Sequence, residues 1–253
     1  MPFPKILYKY RTLHTNNGIN VFTQNLITKG HLYFSRFSEQ NDPNEAIFDY
    51  STDVHIGIED WEQELYPHFI YKKEIEGRII LKVSGRVGAE HIKRRIDSMY
   101  GILCLSEDPK NLLMFDYYGE GHKGICIGLD WEKLGLIYKS KEPRQHQLPR
   151  KIAYKRNPPL VELSGDNFNQ VLFSKSEKYK HEKEFRLIYT PGIYKSPQNV
   201  LSAIKEIIFG CAISETDKLM VRSWIDINAL KVNYYQTTLK PKSYALDIDP
   251  IKF

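Results

Sequence analysis

The stretch from His181 to Tyr189 constrains this chain more than any other, because its side chains alternate in character with a period of two. Read as a strand, it sets Glu182, Glu184 and Arg186 on one face and Lys183, Phe185, Leu187 and Tyr189 on the other. Phe185 and Leu187 are suited to press into a core. The opposite face then carries two carboxylates and a guanidinium on a rigid support. Two readings fit that pattern: a half-exposed strand with a solvated, self-compensated charged face, or the charged wall of a cleft.

A chain of 253 residues can bury a substantial core, and the absence of repeats, low-complexity tracts or linkers favours one globular domain over 1–253. Lysine and arginine number 36 against 31 acidic residues, a net charge of +5 that tolerates polyanionic partners without demanding them. The 17 tyrosines and 12 phenylalanines serve either core packing or base stacking, which composition does not separate. Cys104, Cys126 and Cys211 each sit in an apolar run, with no short spacing between them. That pattern argues against a disulfide framework or a zinc site and for a reducing compartment. No basic-then-apolar leader opens the sequence, and no apolar run approaches the roughly 20 residues of a membrane helix. The expectation is a cytoplasmic protein with no membrane partner.

Along the chain, Ile6 to Arg11 reads as a first strand with Leu7, Lys9 and Arg11 on one face and Tyr8 and Tyr10 on the other. Val21 to Ile27 reads as a short helix or turn closed by Gly30, and Leu32 to Ser35 as a second strand. Asn41 to Glu45 has the composition of a fixed turn. Helical periodicity runs from Glu59 to about Tyr71 and from about Gly88 to Met99. A buried strand is expected over Gly101 to Ser106, a short helix over Asn111 to Tyr118, and a strand over Ile125 to Leu129 with Asp130 capping the next turn. Lys151 to Tyr154 reads as a strand, 164–178 as a helix, Ile204 to Phe209 as an apolar strand and Thr216 to Trp224 as a helix. Val232 to Thr238 and Tyr244 to Ile248 read as closing strands. Strands mixed with short helices, without regular alternation, indicate an α+β fold with a mainly antiparallel or split β-sheet.

Four constellations carry chemistry-bearing side chains. They are Tyr8, Tyr10 and Arg11; Tyr33 and Ser35 with Asn41 and Asp42; His122 in its glycine-rich loop; and Glu182, Glu184 and Arg186. Each also has a structural reading: Arg11 as a strand-end cation, Ser35 as a turn hydroxyl, Asn41 and Asp42 as turn builders, and His122 as a hydrogen-bonded loop residue. No His-x-x-x-His, Cys-x-x-Cys, Gly-x-Ser-x-Gly or phosphate-cradling glycine loop is present, so resident metals, a hydrolase nucleophile and a nucleotide-binding loop of those types lack support.

The chain resembles an uncharacterised bacterial domain family of unknown function. The resemblance rests on Leu7-Tyr8-Lys9-Tyr10-Arg11, Leu32-Tyr33-Phe34-Ser35, Asn41-Asp42-Pro43-Asn44-Glu45, Met114 to Tyr118 followed by Gly121-His122-Lys123-Gly124, Lys175 and Tyr179 before Glu182 to Arg186, and Ile207 to Gly210, covering about residues 5–215. The order of motifs also resembles the ADP-ribosyltransferase superfamily. That resemblance implies an ADP-ribosyltransferase-like fold, NAD as cofactor and Glu184 as the catalytic glutamate, with Glu182 two residues before it. It further implies Ser35 as the second-motif serine and either Arg11 or Tyr10 as the first-motif residue. Tyr33 and His122 join the cofactor-binding set, with Tyr33 or Tyr117 placed to stack on nicotinamide or adenine, and Lys175 to His181 form a target-recognition loop. The second strand departs from the family pattern by carrying Tyr-Phe-Ser where that superfamily has Ser-Thr-Ser.

The chemistry suits these residues. Cleaving the nicotinamide–ribose bond builds oxocarbenium character that a carboxylate stabilises, and a guanidinium pairs with pyrophosphate oxygens. The expectation is a mono-ADP-ribosyltransferase, of the kind that serves as a toxin or phage-defence effector, with a nucleic-acid or protein acceptor and an antitoxin partner. The rival expectation is a noncatalytic nucleic-acid- or partner-binding module whose tyrosines and lysines make the contacts. A third is a nuclease in which Asp42, Glu45 and Glu184 hold a divalent ion.

Overall fold

The structure, a computed structural model, describes residues 4–42, 45, 48–50, 53–58, 71–75, 78–134, 149–161, 169–189 and 199–253. Its main element is an eight-stranded sheet. The strands lie in the order Arg150–Lys151, Glu184–Tyr189, Gly101–Ser106, Ile6–Arg11, Ile125–Asp130, Ile204–Phe209, Asn233–Leu239 and Leu246–Ile251. Neighbours pair antiparallel except Ile204–Phe209 with Asn233–Leu239, which run parallel. The fold is α+β, as the mixture of short strands and helices predicts.

Alternation along the strands sorts the side chains into two layers. Leu7, Leu103, Leu105, Phe185, Leu187, Ile127 and Ile207 join one core, covered by Leu26 and Ile27 of helix Val21–Lys29 and by Val221, Trp224 and Ile225 of helix Glu215–Asp226. On the other layer Tyr10, Cys126 and Ile208 meet Phe115 of helix Leu112–Tyr118. Helix starts follow from local chemistry. The side chains of Asn20, Asn111 and Ser214 accept hydrogen bonds from the first-turn amides of the three helices, and Gly30 closes the first helix at φ 68°. Asp130 accepts from the Lys133 amide at 3.1 Å, the cap its position predicts. Gly128 has no side chain because a Cβ there would drive into Glu206 and Ile6, and Glu206 takes a hydrogen bond from the Tyr8 hydroxyl at 3.1 Å.

Several expectations change. Leu32 to Ser35 forms no second strand; only Ser35 bridges, to Ile102. The first strand pairs with Gly101–Ser106 at a single position, Tyr8 with Ser106, and the Ser35 segment takes up the edge so vacated. His181 and Glu182 belong to no strand. They end a 3-10 helix, Glu177–Glu182, that closes on Lys183 at φ 47°, so the strand begins at Glu184. The local hydrogen bonds of Ser176 and Lys180 outcompete the alternation there. Within the expected helix over 164–178, residues 164–168 lie outside the described ones, Asn169–Leu172 is helical, and Ser174–Ser176 is a strand paired with Ala153–Lys155. The helix expected over Glu59 to Tyr71 falls outside the described residues up to 70, and Tyr71 opens the strand Tyr71–Ile75. That strand, Arg78–Ser84 and Asp53–Ile58 form a separate three-stranded sheet.

Candidate functional site

The charged face of the Glu184–Tyr189 strand is buried. The Arg186 guanidinium, wholly inaccessible to solvent, donates from Nε to Glu184 Oε1 at 2.8 Å and from Nη2 to Oε2 at 3.2 Å, a two-pronged pairing across one pleat. Its Nη1 reaches Glu45 Oε1 at 3.0 Å and the Leu172 carbonyl at 2.8 Å. Lys175 stands between the carboxylates. Its Nζ lies 2.7 Å from Glu182 Oε2 and 3.6 Å from both Glu184 Oε2 and Glu45 Oε2. The remaining Glu182 oxygen accepts from the Tyr118 hydroxyl at 2.8 Å. The Tyr154 hydroxyl accepts from the Glu184 amide at 2.8 Å.

Burial alone would raise the Glu184 carboxyl, but Arg186 and then Lys175 outweigh it and hold it at about 2. Burial pulls the Lys175 ammonium down, and Glu184, Glu182 and Glu45 carry it well above its ordinary value. Burial, with Glu184 adding to it, pushes the Cys104 thiol up to about 12, so that thiol is not a nucleophile at neutral pH. Lys9 donates to the Cys104 carbonyl at 3.0 Å; burial lowers its pKa while Glu184 and Glu182 oppose the change. Three carboxylates thus pair with two cations, Arg186 and Lys175, with the Tyr118 hydroxyl on Glu182 and the Lys9 ammonium near enough to act on Glu184 and Glu182. A buried carboxylate group of this kind is tolerable only when matched in this way. Lys175 also occupies the position between carboxylates that a metal ion would take, and no group of three His, Cys, Asp or Glu side chains among the described residues is arranged to hold one.

The network ties two short surface elements together. Asn111 caps helix Leu112–Tyr118 and its Nδ2 donates to the His181 carbonyl at 2.5 Å, while Tyr118 reaches Glu182 from the same helix. Above this brace three rings gather. Tyr117, 63% exposed, stands edge-on to His181 at 6.3 Å, and Tyr179 lies 6.4 Å from His181. The Lys175 ammonium sits 4.7 Å from the centre of the Tyr179 ring, a cation–π contact that fixes the tyrosine from beneath. Lys178 and Lys180 are exposed and make no ion pair with any described residue. The neighbouring Glu177 is answered by Arg156 at 3.2 Å.

The expected site residues fall as follows. Glu182 and Glu184 meet through Lys175, although only Glu184 is on a strand. Ser35 connects to them indirectly: its Oγ accepts from Gln40 Nε2, and Gln40 Oε1 accepts from the Cys104 thiol at 3.6 Å. Tyr10 is a structural buttress, its hydroxyl donating to the Asp108 carbonyl at 2.5 Å and accepting from the Asn111 amide, its ring edge-on to Phe115. Tyr33 donates to Glu39 at 2.6 Å and packs on Phe22. Arg11 is half-buried, drawn down to about 10 by burial, and its Nε has no hydrogen-bond partner among the described residues. His122 stacks on Phe115 in a loop held by its own backbone at φ 66°; it makes no contact with the carboxylates. Glu45, grouped with Glu184 in the nuclease expectation, does stand beside it, but the cation between them is the Lys175 ammonium of the motif that precedes Glu182. Tyr118 and Tyr154 as hydrogen-bond partners do not follow from the sequence pattern, and the signal for a further buried cation is the excess of carboxylates over cations in Glu182, Glu184 and Arg186.

No curated protein and no solved structure matches the chain. Residues 114–187, which carry the ring-bearing helix end, the 3-10 turn and most of the Glu184 strand, match the family model described as Protein of unknown function (DUF2971), in keeping with the uncharacterised family its motifs resemble.

Proposed function

We propose that this chain is a noncatalytic nucleic-acid-binding module whose contact surface is the platform of Tyr117, Tyr179 and His181 with Lys178 and Lys180. The observation that carries this reading is the division of labour around Glu182. Below it, the carboxylates are closed off by Arg186, Lys175 and Tyr118; above it, the Tyr117 ring and the ammonium groups of Lys178 and Lys180, without an ion pair among the described residues, face solvent beside the half-buried rings of Tyr179 and His181. Exposed rings supply stacking surfaces and lysines answer phosphates, the two contacts that sequence-tolerant nucleic-acid binding needs. The test is a fluorescence-anisotropy titration of a labelled oligonucleotide in the absence of NAD. Tyr117→Ala should weaken binding about tenfold or more with an unchanged melting curve; equal affinity in that variant removes the reading.

A second reading, the NAD-dependent mono-ADP-ribosyltransferase with an ADP-ribosyltransferase-like fold, draws on the link from Ser35 through Gln40 and Cys104 to the Glu184 carboxylate and on that carboxylate's staying ionised, the state that stabilises an oxocarbenium ion. It requires Glu184 to leave its two-pronged contact with Arg186 and meet a ribose. Calorimetric titration with NAD and transfer of label from NAD to RNA or protein test it. Absence of both heat and label excludes it.

A further inference from the structure

Resting on the nucleic-acid reading, we infer that the platform takes its ligand as a single strand with the bases unstacked. A duplex hides base faces and is read by an element that enters a groove. The surface offers no such element: Tyr117 is the sixth residue of a seven-residue helix, and Tyr179 and His181 lie on a six-residue 3-10 helix. What it offers is ring area. The rings of Tyr117 and Tyr179 flank His181 at 6.3 and 6.4 Å with interplanar angles of 62° and 32°. They are tilted against the imidazole and leave ring area that it does not cover. An aromatic face exposed in this way can stack only on a base face that pairing and neighbour stacking have left open. His181 Nε2 is buried without a hydrogen-bond partner among the described residues and its Nδ1 is occupied by the Lys178 carbonyl at 3.2 Å, so the imidazole serves as a wall between the tyrosines and not as a reader of base edges. The same turn supplies Lys178 and Lys180 for the backbone of the strand. Asp116 is exposed beside Tyr117 and disfavours a phosphate there, which leaves the strand's backbone on the Lys178 side and its bases on the tyrosine side.

The experiment is an anisotropy titration of the full chain at one salt concentration against labelled RNA and DNA of about 12 nucleotides, each as a single strand and as a duplex. Single strands should bind at least about tenfold more tightly than duplexes of the same sequence, with RNA or DNA preferred in either order. Tyr117→Leu should remove most of that difference by weakening the single strands alone. Duplexes that bind as tightly as single strands, with Tyr117→Leu without effect on the ratio, overturn the single-strand inference and leave the nucleic-acid reading standing. No binding to any of the four probes overturns both.

Discussion

Lys175 donates to Glu182 at 2.7 Å while the second oxygen of the same carboxylate accepts from Tyr118 at 2.8 Å, so one buried side chain joins the strand Ser174–Ser176, the 3-10 turn and the ring-bearing helix. The stability of the sheet edge and the geometry of the platform therefore depend on the same contacts.

Removing the Lys175 charge leaves Glu182, Glu184 and Glu45 facing one another with Arg186 as their main remaining cation. Lys175→Met is expected to cost about 3–5 kcal/mol, read as a fall in the urea midpoint. Glu182→Gln added to it should return part of that loss, giving a double variant more stable than the two single effects summed. A midpoint equal to that of the unaltered protein would show that the network contributes nothing.

Tyr118→Phe keeps the ring and deletes only the hydroxyl on Glu182. Hydrogen bonds to charged groups are worth about 1.5–3 kcal/mol when buried, and Tyr118 is half-buried, so a loss of about 1–2 kcal/mol is expected. Amide hydrogen exchange in Leu112–Tyr118 should quicken in this variant more than exchange in Glu215–Asp226.

Acid should act through Glu184. Its pKa is depressed in the folded chain from an ordinary 4.5 to about 2, so the unfolded chain binds the proton first as pH falls. The stability it contributes is complete above about pH 4.5 and is lost progressively between there and about pH 2. Over that window the unfolding free energy of the unaltered protein should fall more steeply than that of Glu184→Gln. Parallel curves would show that the carboxylate is not held down by Arg186.

The His122 loop should resist one small change. A Cβ at Gly210 would collide with the His122 carbonyl, which accepts the Ala212 amide at 3.0 Å. Gly210→Ala is expected to cost about 1–3 kcal/mol, measured by thermal unfolding, whereas His122→Ala should cost less because the backbone, not the ring, makes the loop's hydrogen bonds.

Strand positions are legible where burial dictates the pattern. Ile6–Arg11, Gly101–Ser106 and Ile204–Phe209 have the bounds their apolar runs predict, and the place of Phe185 and Leu187 in the core follows from alternation. Alternation misleads at His181 and Glu182, where a residue at positive φ, Lys183, ends a 3-10 turn that no pattern of hydrophobicity encodes. It also leaves open whether Glu184 and Arg186 face water. Both are buried because Lys175 and Glu45, distant or separated in sequence, complete their charge balance, and tertiary pairing of that kind has no local signature. Tyr117 is recognisable as an aromatic of the short helix; its exposure follows only from which helix face the network draws inward.

The salt dependence of oligonucleotide binding tests the central claim most directly. For single strands the slope of log affinity against log salt shrinks by about 0.7 for each phosphate that is no longer neutralised, so Lys178→Gln with Lys180→Gln should reduce it by about 1.4. Tyr117→Leu should lower affinity with the slope unchanged, because stacking releases no counterions. That separation of effects is the predicted result. Binding whose slope and strength are indifferent to all three substitutions, or no binding at low salt, would contradict it.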